Sequence, residues 1–579
     1  MISNWRLENF KSIACETVPL RPLTVISGIN SSGKSTILQS MALVAQTLSN
    51  QLEQEPLLLN GHLMSLGTFK NVCSANSADH RLSIGWDIEP RDAPAEETTP
   101  HDLASIETYA THNVINLRRV RCDVTFCGPG RPQVLQGALS VESLAGTPTT
   151  IEWMQAPDQP AGKASWRVCL NEETYLRQRH AVPDSARCEL RHFLPSRLLL
   201  EVQTEARDAE LRALVLCQKR RVHRISDHPL LTCAVPERVA ERLVDILPAD
   251  ERLVAPSLGT SFANWTTWLA EVCSRRAELT PKLNAMVSDV LELLTEQASA
   301  KTLAEHTHLP GGLPDAVFYL ETFFATKFRY LGPLRDEPRA IYPYPTKLDP
   351  VDLGRRGEYT AAAYHAYADV LVRHVEYKEL VEYGPVASER TATLKAAVDE
   401  WLRYLGVAEH LVSKEDKYGH VLGVGTVRGT GGSDWEMIHV GTGVSQVLPI
   451  LVLGLLAQSD STLVIEHPEL HLHPGAQARL ADFFLFLALT GRQIIVETHS
   501  EYILHRLRRR IVGPEGEALR SEIGILFAGV ENGATSFREV SINEYGAIEE
   551  WPEGFFDAAA VETEGILRAA IEKETGRRS

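Results

Sequence analysis

The sequence predicts an α/β fold, a mixed sheet with flanking helices, interrupted by a long, mostly helical insertion that carries a small β element. Three observations predict it. Leu23-Thr24-Val25-Ile26 is apolar and β-branched and runs into a glycine-rich loop, after which Ile37, Met41, Val44 and Leu48 recur at helical spacing. Far along the chain, Ser461-Thr462-Leu463-Val464-Ile465 and Gln493-Ile494-Ile495-Val496 read as apolar strands, each ending on a polar cluster, with a helix from Ala476 to Leu489 between them. These two regions stand at opposite ends of 579 residues, so the chain must leave the core and return to it.

Taken in order, residues 1–90 form the N-terminal half of this core. Asn4 to Ile13 reads as strand and turn, a second strand follows Pro22, and turn signals such as Leu59-Asn60-Gly61-His62 come after the first helix. Residues 91–329 are the insertion. It opens on an exposed Pro-, Ala-, Glu- and Thr-rich loop (Pro90 to Glu97 and onward) and continues with strand-like alternation such as Val120 to Phe126. From residue 186 it reads as mostly helical, for example Leu243 to Leu247 and Ala285 to Leu294. Residues 330–440 are a return segment. In it, Arg335 and Arg339 of Tyr330-Leu331-Gly332-Pro333-Leu334-Arg335-Asp336-Glu337-Pro338-Arg339 suit phosphates or, more plainly, structural carboxylates. Residues 441–579 complete the core. No heptads are sustained and no repeat of fixed period occurs, so long coiled-coil arms are not expected.

Composition is that of a soluble globular chain, 44% apolar and 23% charged. A net charge of −17 gives the chain as a whole no footprint for nucleic acid. The basic cluster Lys219-Arg220-Arg221-Val222-His223-Arg224 reads as a solvated loop or helix end, or as a contact for nucleic acid or an acidic partner. Nine scattered cysteines without a C-x-x-C pair argue against a disulfide framework and a zinc site, and point to a reducing cytoplasm. The first residues do not read as a signal peptide, and the apolar run Val447 to Ala457 is too short to span a bilayer. The expected setting is cytoplasmic, without a membrane.

The chemistry concentrates at Gly28-Ile29-Asn30-Ser31-Ser32-Gly33-Lys34-Ser35-Thr36, which fits G-x-x-x-x-G-K-[ST] between a strand and a helix. The glycines let backbone N–H groups curl around phosphate, the helix start adds its positive end, Lys34 reaches the β- and γ-phosphates, and the Ser35 hydroxyl ligates Mg²⁺. Glu466, closing an apolar strand, is the expected second Mg²⁺-holding group, so ATP and Mg²⁺ are the expected cofactors. Gly441-Thr442-Gly443-Val444-Ser445 precedes a very apolar helix and is an anion site only in outline. A zinc reading of His471 and His473 lacks a further ligand at suitable spacing. His499, just past a core strand, is placed to sense a γ-phosphate or polarise water.

The phosphate loop, the stretch Glu466-His467-Pro468-Glu469-Leu470-His471-Leu472-His473-Pro474 and the tail Trp551-Pro552-Glu553-Gly554-Phe555-Phe556 together resemble the ABC-type ATPases of the SMC and OLD group. Within that group they are most similar to prokaryotic AAA-like ATPases with an E-x-P-E-x-H-L-H-P element, such as anti-phage ATPases of the Septu type. The resemblance covers residues 1–90 and 430–560, and more loosely 330–358. It implies an ABC-type head with Gly28, Asn30, Ser31, Ser32, Gly33, Lys34, Ser35 and Thr36 on the nucleotide, and Ser35 with Glu466 on Mg²⁺. It also implies Gly441, Thr442, Gly443 and Ser445 as a signature that caps the partner's ATP, a D-loop near Leu472-His473-Pro474, and His499 as the switch histidine. Two heads would close face to face in a dimer or larger even assembly. His467 stands where the family has its catalytic glutamate, so Glu469 polarises the water, or His467 does, or hydrolysis is slow. Gly441 replaces the usual signature serine. The expected activity is ATP hydrolysis in the service of a separate effector, a nuclease such as one of HNH type, in defence against phage. Little acidic clustering of the kind a TOPRIM nuclease needs follows His499, so a fused nuclease of the OLD type is not expected. The alternatives are a stand-alone DNA-clamping or repair ATPase, and an ATP-gated scaffold with little turnover.

Overall fold

Five parallel strands and one antiparallel strand make the central sheet, in the order Phe328–Leu331, Thr462–Glu466, Gln493–Glu497, Leu23–Gly28, Ile523–Glu531, Ala534–Glu539. Thr462–Glu466 and Gln493–Glu497 are buried at every residue, as parallel strands covered on both faces must be. The computed structural model describes residues 1–50, 55–75, 77, 80–90, 117–144, 146, 148–155, 166–182, 184–217, 229–295, 302–339, 341–342, 349, 351–382, 384–386, 389–415, 421–427, 435–436, 443–548 and 558–575.

Helices Lys34–Leu48, Gly443–Leu456 and Pro474–Leu489 flank this sheet, and the last is apolar nearly all round, as a helix buried on several sides should be. Trp401, from the helix Leu394–Leu405, meets Phe483 edge to face with ring centroids 4.8 Å apart. Asp482 is fully buried on the same helix as Phe483. It stays ionised because Arg506 at 2.6 Å and Arg510 at 2.8 Å pair with it, and Tyr404 donates its hydroxyl to it.

An antiparallel sheet belongs to the same part of the chain, with Ile13–Pro19, Ile2–Phe10, Arg81–Ile88, Leu117–Cys127 and Gln133–Ser143 in that order. Period-two burial puts Trp5 opposite Trp86, and the two rings stack at 5.5 Å. This pairing moves the boundary of the insertion. The sequence sets it at 91–329, whereas the compact units are Met1–Glu152 with Arg191–Leu194 and Gly311–Ser579, and Trp153–Leu190 with Pro195–Pro310. Leu117–Cys127 falls in the first unit because it is laddered onto Arg81–Ile88, a long-range pairing that no local signal announces.

The second unit packs helices Thr204–Leu216, Glu237–Asp245, Phe262–Arg275 and Val287–Thr295 around Leu216, Leu243, Trp265, Leu269 and Val290. Ser261 caps the third of these, accepting from the Asn264 N–H. The expectation of a mostly helical region from residue 186 misses the strands Leu194–Gln203 and Thr302–Thr307, which pair antiparallel. Leu198, Leu200 and Val202 carry the period-two burial that marks the first of them.

Candidate active site

The strand Leu23–Gly28 delivers the chain into a loop that only glycine can open. Gly28 has φ +151°, and a Cβ there would lie 2.2 Å from the Ala528 carbonyl oxygen on the neighbouring strand. Ser31 and Gly33 then take left-handed conformations and turn the backbone into the helix Lys34–Leu48. No side chain caps that helix start, which leaves the N–H groups of Lys34 and Ser35 facing an anion site in outline. Lys34 folds over the loop and donates to the carbonyls of Gly28 at 3.1 Å and Ile29 at 2.6 Å, and burial lowers its pKa. Ser32 and Thr36 are buried and brace the turn, the Ser32 hydroxyl donating to Ile29 O and the Thr36 N–H to Gly33 O, while Asn30 and Ser31 are exposed.

Two carboxylates end adjacent strands of the central sheet, Glu497 on the strand next to the loop strand and Glu466 on the one beyond. Glu466 and Glu497 are in register on neighbouring parallel strands, and both are buried. Burial first, and each other's charge second for Glu466, push both toward the protonated form, Glu466 to about 7. The sequence pairs Ser35 with Glu466. In the fold, the Ser35 hydroxyl donates to Glu497 Oε1 at 2.8 Å. Glu466 Oε1 accepts from the Tyr330 hydroxyl at 2.7 Å, and its backbone carbonyl accepts from Arg335 Nη2 at 3.0 Å. Arg335 is 4% exposed, its Nε and Nη1 have no hydrogen-bond partner among the described residues, and burial lowers its pKa to about 10. The contact Arg335 makes is with a strand-end carbonyl and not with the structural carboxylate that is one of its two readings in the sequence.

A third carboxylate organises the histidines. Glu469 Oε2 accepts from the Thr498 hydroxyl at 2.7 Å and Oε1 from the His499 N–H at 2.8 Å, and His467 Nδ1 lies 3.5 Å from Oε1. Burial alone would raise Glu469, but these donors outweigh it and hold the carboxyl below its usual range. The Glu469 bond raises His467, whereas burial and the nearby Lys34 and His467 charges lower His499. The two imidazoles stack in parallel with centroids 5.3 Å apart. The site thus favours the charged form at Glu469 and His467 and the neutral form at His499 beside them. His473 caps the helix Pro474–Leu489 with Nδ1 accepting from the Gly475 N–H, and both His471 and His473 are exposed. Gln477 links this turn to the other side of the site, donating to Leu472 O and accepting from the Ser500 hydroxyl.

Ser445 is buried in the first turn of the helix Gly443–Leu456 and lines a small cavity with Asp336, Tyr342 and Thr360. Gly441 and Thr442, the basic cluster Lys219 to Arg224, the opening loop of the insertion from residue 91 and the tail Trp551 to Phe556 lie outside the described residues. Sequence reading assigned no role to Glu497, although it ends a strand just as Glu466 does, and none to Tyr330 as a partner of Glu466.

The residues fit a nucleotide with its divalent cation. They offer a helix start with no side-chain cap, the Ser35 hydroxyl, and a buried carboxylate oxygen, Glu497 Oε2, without a hydrogen-bond partner among the described residues. Among the described residues no group of three or more His, Cys, Asp or Glu could hold a metal by itself. No helix among the described residues is long and apolar enough to cross a membrane.

Comparison with known proteins matches residues 1–94 to the family model described as AAA ATPase domain. Residues 317–505 match the model described as AAA domain, putative AbiEii toxin, Type IV TA system, and residues 521–565 match one described as protein of unknown function (DUF3696). The two AAA matches lie on either side of residues 95–316 in the sequence. No curated protein matches. Among solved structures the chain is similar to an Smc head bound to the C-winged helix domain of ScpA, at 10% identity and TM-score 0.37, covering 93% of this chain and 98% of that one. It is similar to a Pyrococcus furiosus Smc head with an extended coiled coil bound to the C-terminal domain of ScpA, at 11% identity and TM-score 0.34, covering 98% and 99%. It is also similar to an SMC head domain from Thermotoga maritima, at 8% identity and TM-score 0.30, covering 93% and 99%. At these scores the likeness carries nothing about activity or partners.

Proposed function

We propose that the protein binds ATP with Mg²⁺, hydrolyses it slowly, closes head to head on a second copy and works for a separate effector, such as an HNH-type nuclease, in defence against phage. One observation carries the nucleotide part of this reading. The phosphate loop, Glu466, Glu497 and the Glu469–His499 pair come from the two ends of the chain and converge at one end of the central sheet. Lys34 and the helix start would neutralise the phosphates, and fixed donors of this kind act without reorganising during the reaction. Bound Mg²⁺ would offset charge between the β- and γ-phosphates. Glu469 would orient the attacking water, with His499 beside it in the neutral form.

The three donors on Glu469 support slow turnover, because lone pairs held by Thr498, His499 and His467 are less free to accept from water. The same observation favours the second reading, an ATP-gated scaffold. Phosphate release and ATP affinity separate the two. Lys34→Ala is expected to abolish ATP binding, and Glu469→Gln to keep it while turnover falls about 10²-fold. Wild-type turnover in Glu469→Gln would remove Glu469 from the chemistry, and wild-type protein that binds ATP without releasing phosphate would leave the scaffold. Native mass with and without ATP, on protein expressed with its neighbouring genes, tests the assembly. An even oligomer formed with ATP and a second chain at fixed stoichiometry are the expected results, and a monomer alone in both states would overturn the effector reading.

A further inference from the structure

We infer that Glu497, rather than Glu466, is the carboxylate that shares the divalent cation with Ser35. The inference rests on the nucleotide reading above and assigns the metal side of that same site.

Sheet order is the first argument. Gln493–Glu497 is the immediate neighbour of the phosphate-loop strand Leu23–Gly28, whereas Thr462–Glu466 lies one strand further out, about 4.8 Å more. A glutamate of equal length on the outer strand must cross that extra spacing to reach the same hydroxyl. The second argument is the state of each carboxylate. Glu466 is engaged on the side away from the loop, with Oε1 on the Tyr330 hydroxyl and its carbonyl on Arg335. Glu497 is 1% exposed, with Oε1 on the Ser35 hydroxyl and Oε2 without a hydrogen-bond partner among the described residues. A buried carboxylate oxygen left unpaired is costly unless something else satisfies it. His467 Nε2 is 3.8 Å from Oε1, too far for a hydrogen bond, and Oε2 gains nothing from it. A cation bound beside the Ser35 hydroxyl would satisfy that oxygen. Glu466 then has a different task, tying the strand end to Tyr330 and Arg335 of the return segment.

The test uses the full chain and a fluorescent ATP analogue, titrated in EDTA and at saturating Mg²⁺. Mn²⁺ binding is counted by paramagnetic resonance at fixed nucleotide. Glu497→Gln is expected to keep the affinity measured in EDTA and to reduce the gain from Mg²⁺ about tenfold or more, a loss typical of a damaged metal site. Glu466→Gln is expected to keep that gain. If Ser35 and Glu497 hold one cation, Ser35→Ala and Glu497→Gln each weaken Mn²⁺ binding, and the double variant is hardly worse than either one. A Glu497→Gln protein with the wild-type Mg²⁺ gain, or an equal loss in Glu466→Gln, would overturn the assignment. So would additive losses in the double variant. Wild-type protein that binds no nucleotide in either condition would instead overturn the nucleotide reading, and the metal assignment with it.

Discussion

Gly33 gives a prediction whose size can be worked from contacts. Gly33→Ala places a Cβ 2.3 Å from Thr535 Oγ1, 2.7 Å from Ser12 Oγ and 3.1 Å from Thr535 Cγ2, at a residue with φ +87°. The left-handed backbone costs an alanine about 1–2 kcal/mol. Parting the Thr535–Ser12 hydrogen bond, now 2.7 Å, costs about 1 kcal/mol. Overpacking a tight site costs about 1–3 kcal/mol more. If only about 3 kcal/mol of this falls on the loop rather than on its surroundings, nucleotide affinity drops about 100-fold. The contact partner is a side chain and can be removed. Thr535→Ala takes away both threonine atoms but not the backbone strain, so the double variant should regain about tenfold of the lost affinity. The assay is titration with a fluorescent ATP analogue in EDTA, which isolates the loop from the metal, with a melting curve of each variant. Wild-type affinity in Gly33→Ala, or no rescue by Thr535→Ala, would refute the claim that the loop is pressed against the hairpin strand Ala534–Glu539. The same substitution at Gly28 meets the Ala528 backbone instead and should have no single-residue rescue.

Three further outcomes are expected. Tyr330→Phe leaves Glu466 Oε1 buried and unpaired and should destabilise the fold by about 1–3 kcal/mol, read as a lower midpoint in urea. Arg335→Met should slow phosphate release about tenfold or more, because it loosens the strand end that leads on to Glu469, with affinity in EDTA unchanged; unaltered release would make Arg335 a spectator. Asp482→Asn should cost about 3–5 kcal/mol, because Arg506 and Arg510 lose their buried counter-charge. Burial raises Asp482, but hydrogen bonds from Arg510 and Arg506 outweigh it and lower its pKa below the ordinary 3.8. Its stabilisation is therefore present above pH 3.8 and lost as pH falls below that value, so Asp482→Asn should flatten the acid limb of a melting-temperature profile.

The phosphate loop was legible because everything that makes it is local. Glycine at positions 28 and 33, the strand before and the helix after are consecutive in sequence, and φ preference with apolar spacing specifies them without reference to the rest of the chain. The apolar runs that became Thr462–Glu466, Gln493–Glu497 and Gly443–Leu456 were legible for the same reason. The strand Leu194–Gln203 was not, since its period-two signal is short and sits beside the helix Thr204–Leu216. Two strands ending on glutamate look alike in sequence, and both glutamates follow a β-branched residue.

Which glutamate meets Ser35 was decided only by sheet order. The phosphate-loop strand pairs with Gln493–Glu497 and not with Thr462–Glu466, and parallel pairing fixes position 497 one strand from the loop and position 466 two strands away. Tyr330 reaches Glu466 on the same terms, because Phe328–Leu331 lies beside the outer of those strands, 136 positions away in sequence for the bonded pair. The sequence by itself determined that a glycine loop between strand and helix, buried apolar strands and acidic strand ends exist, since backbone preference and apolar periodicity act between near neighbours. The tertiary structure decided which acid faces the loop, which is tied back, and that Arg335 is buried, since those depend on strand adjacency and desolvation, and neither is a property of any local stretch of chain.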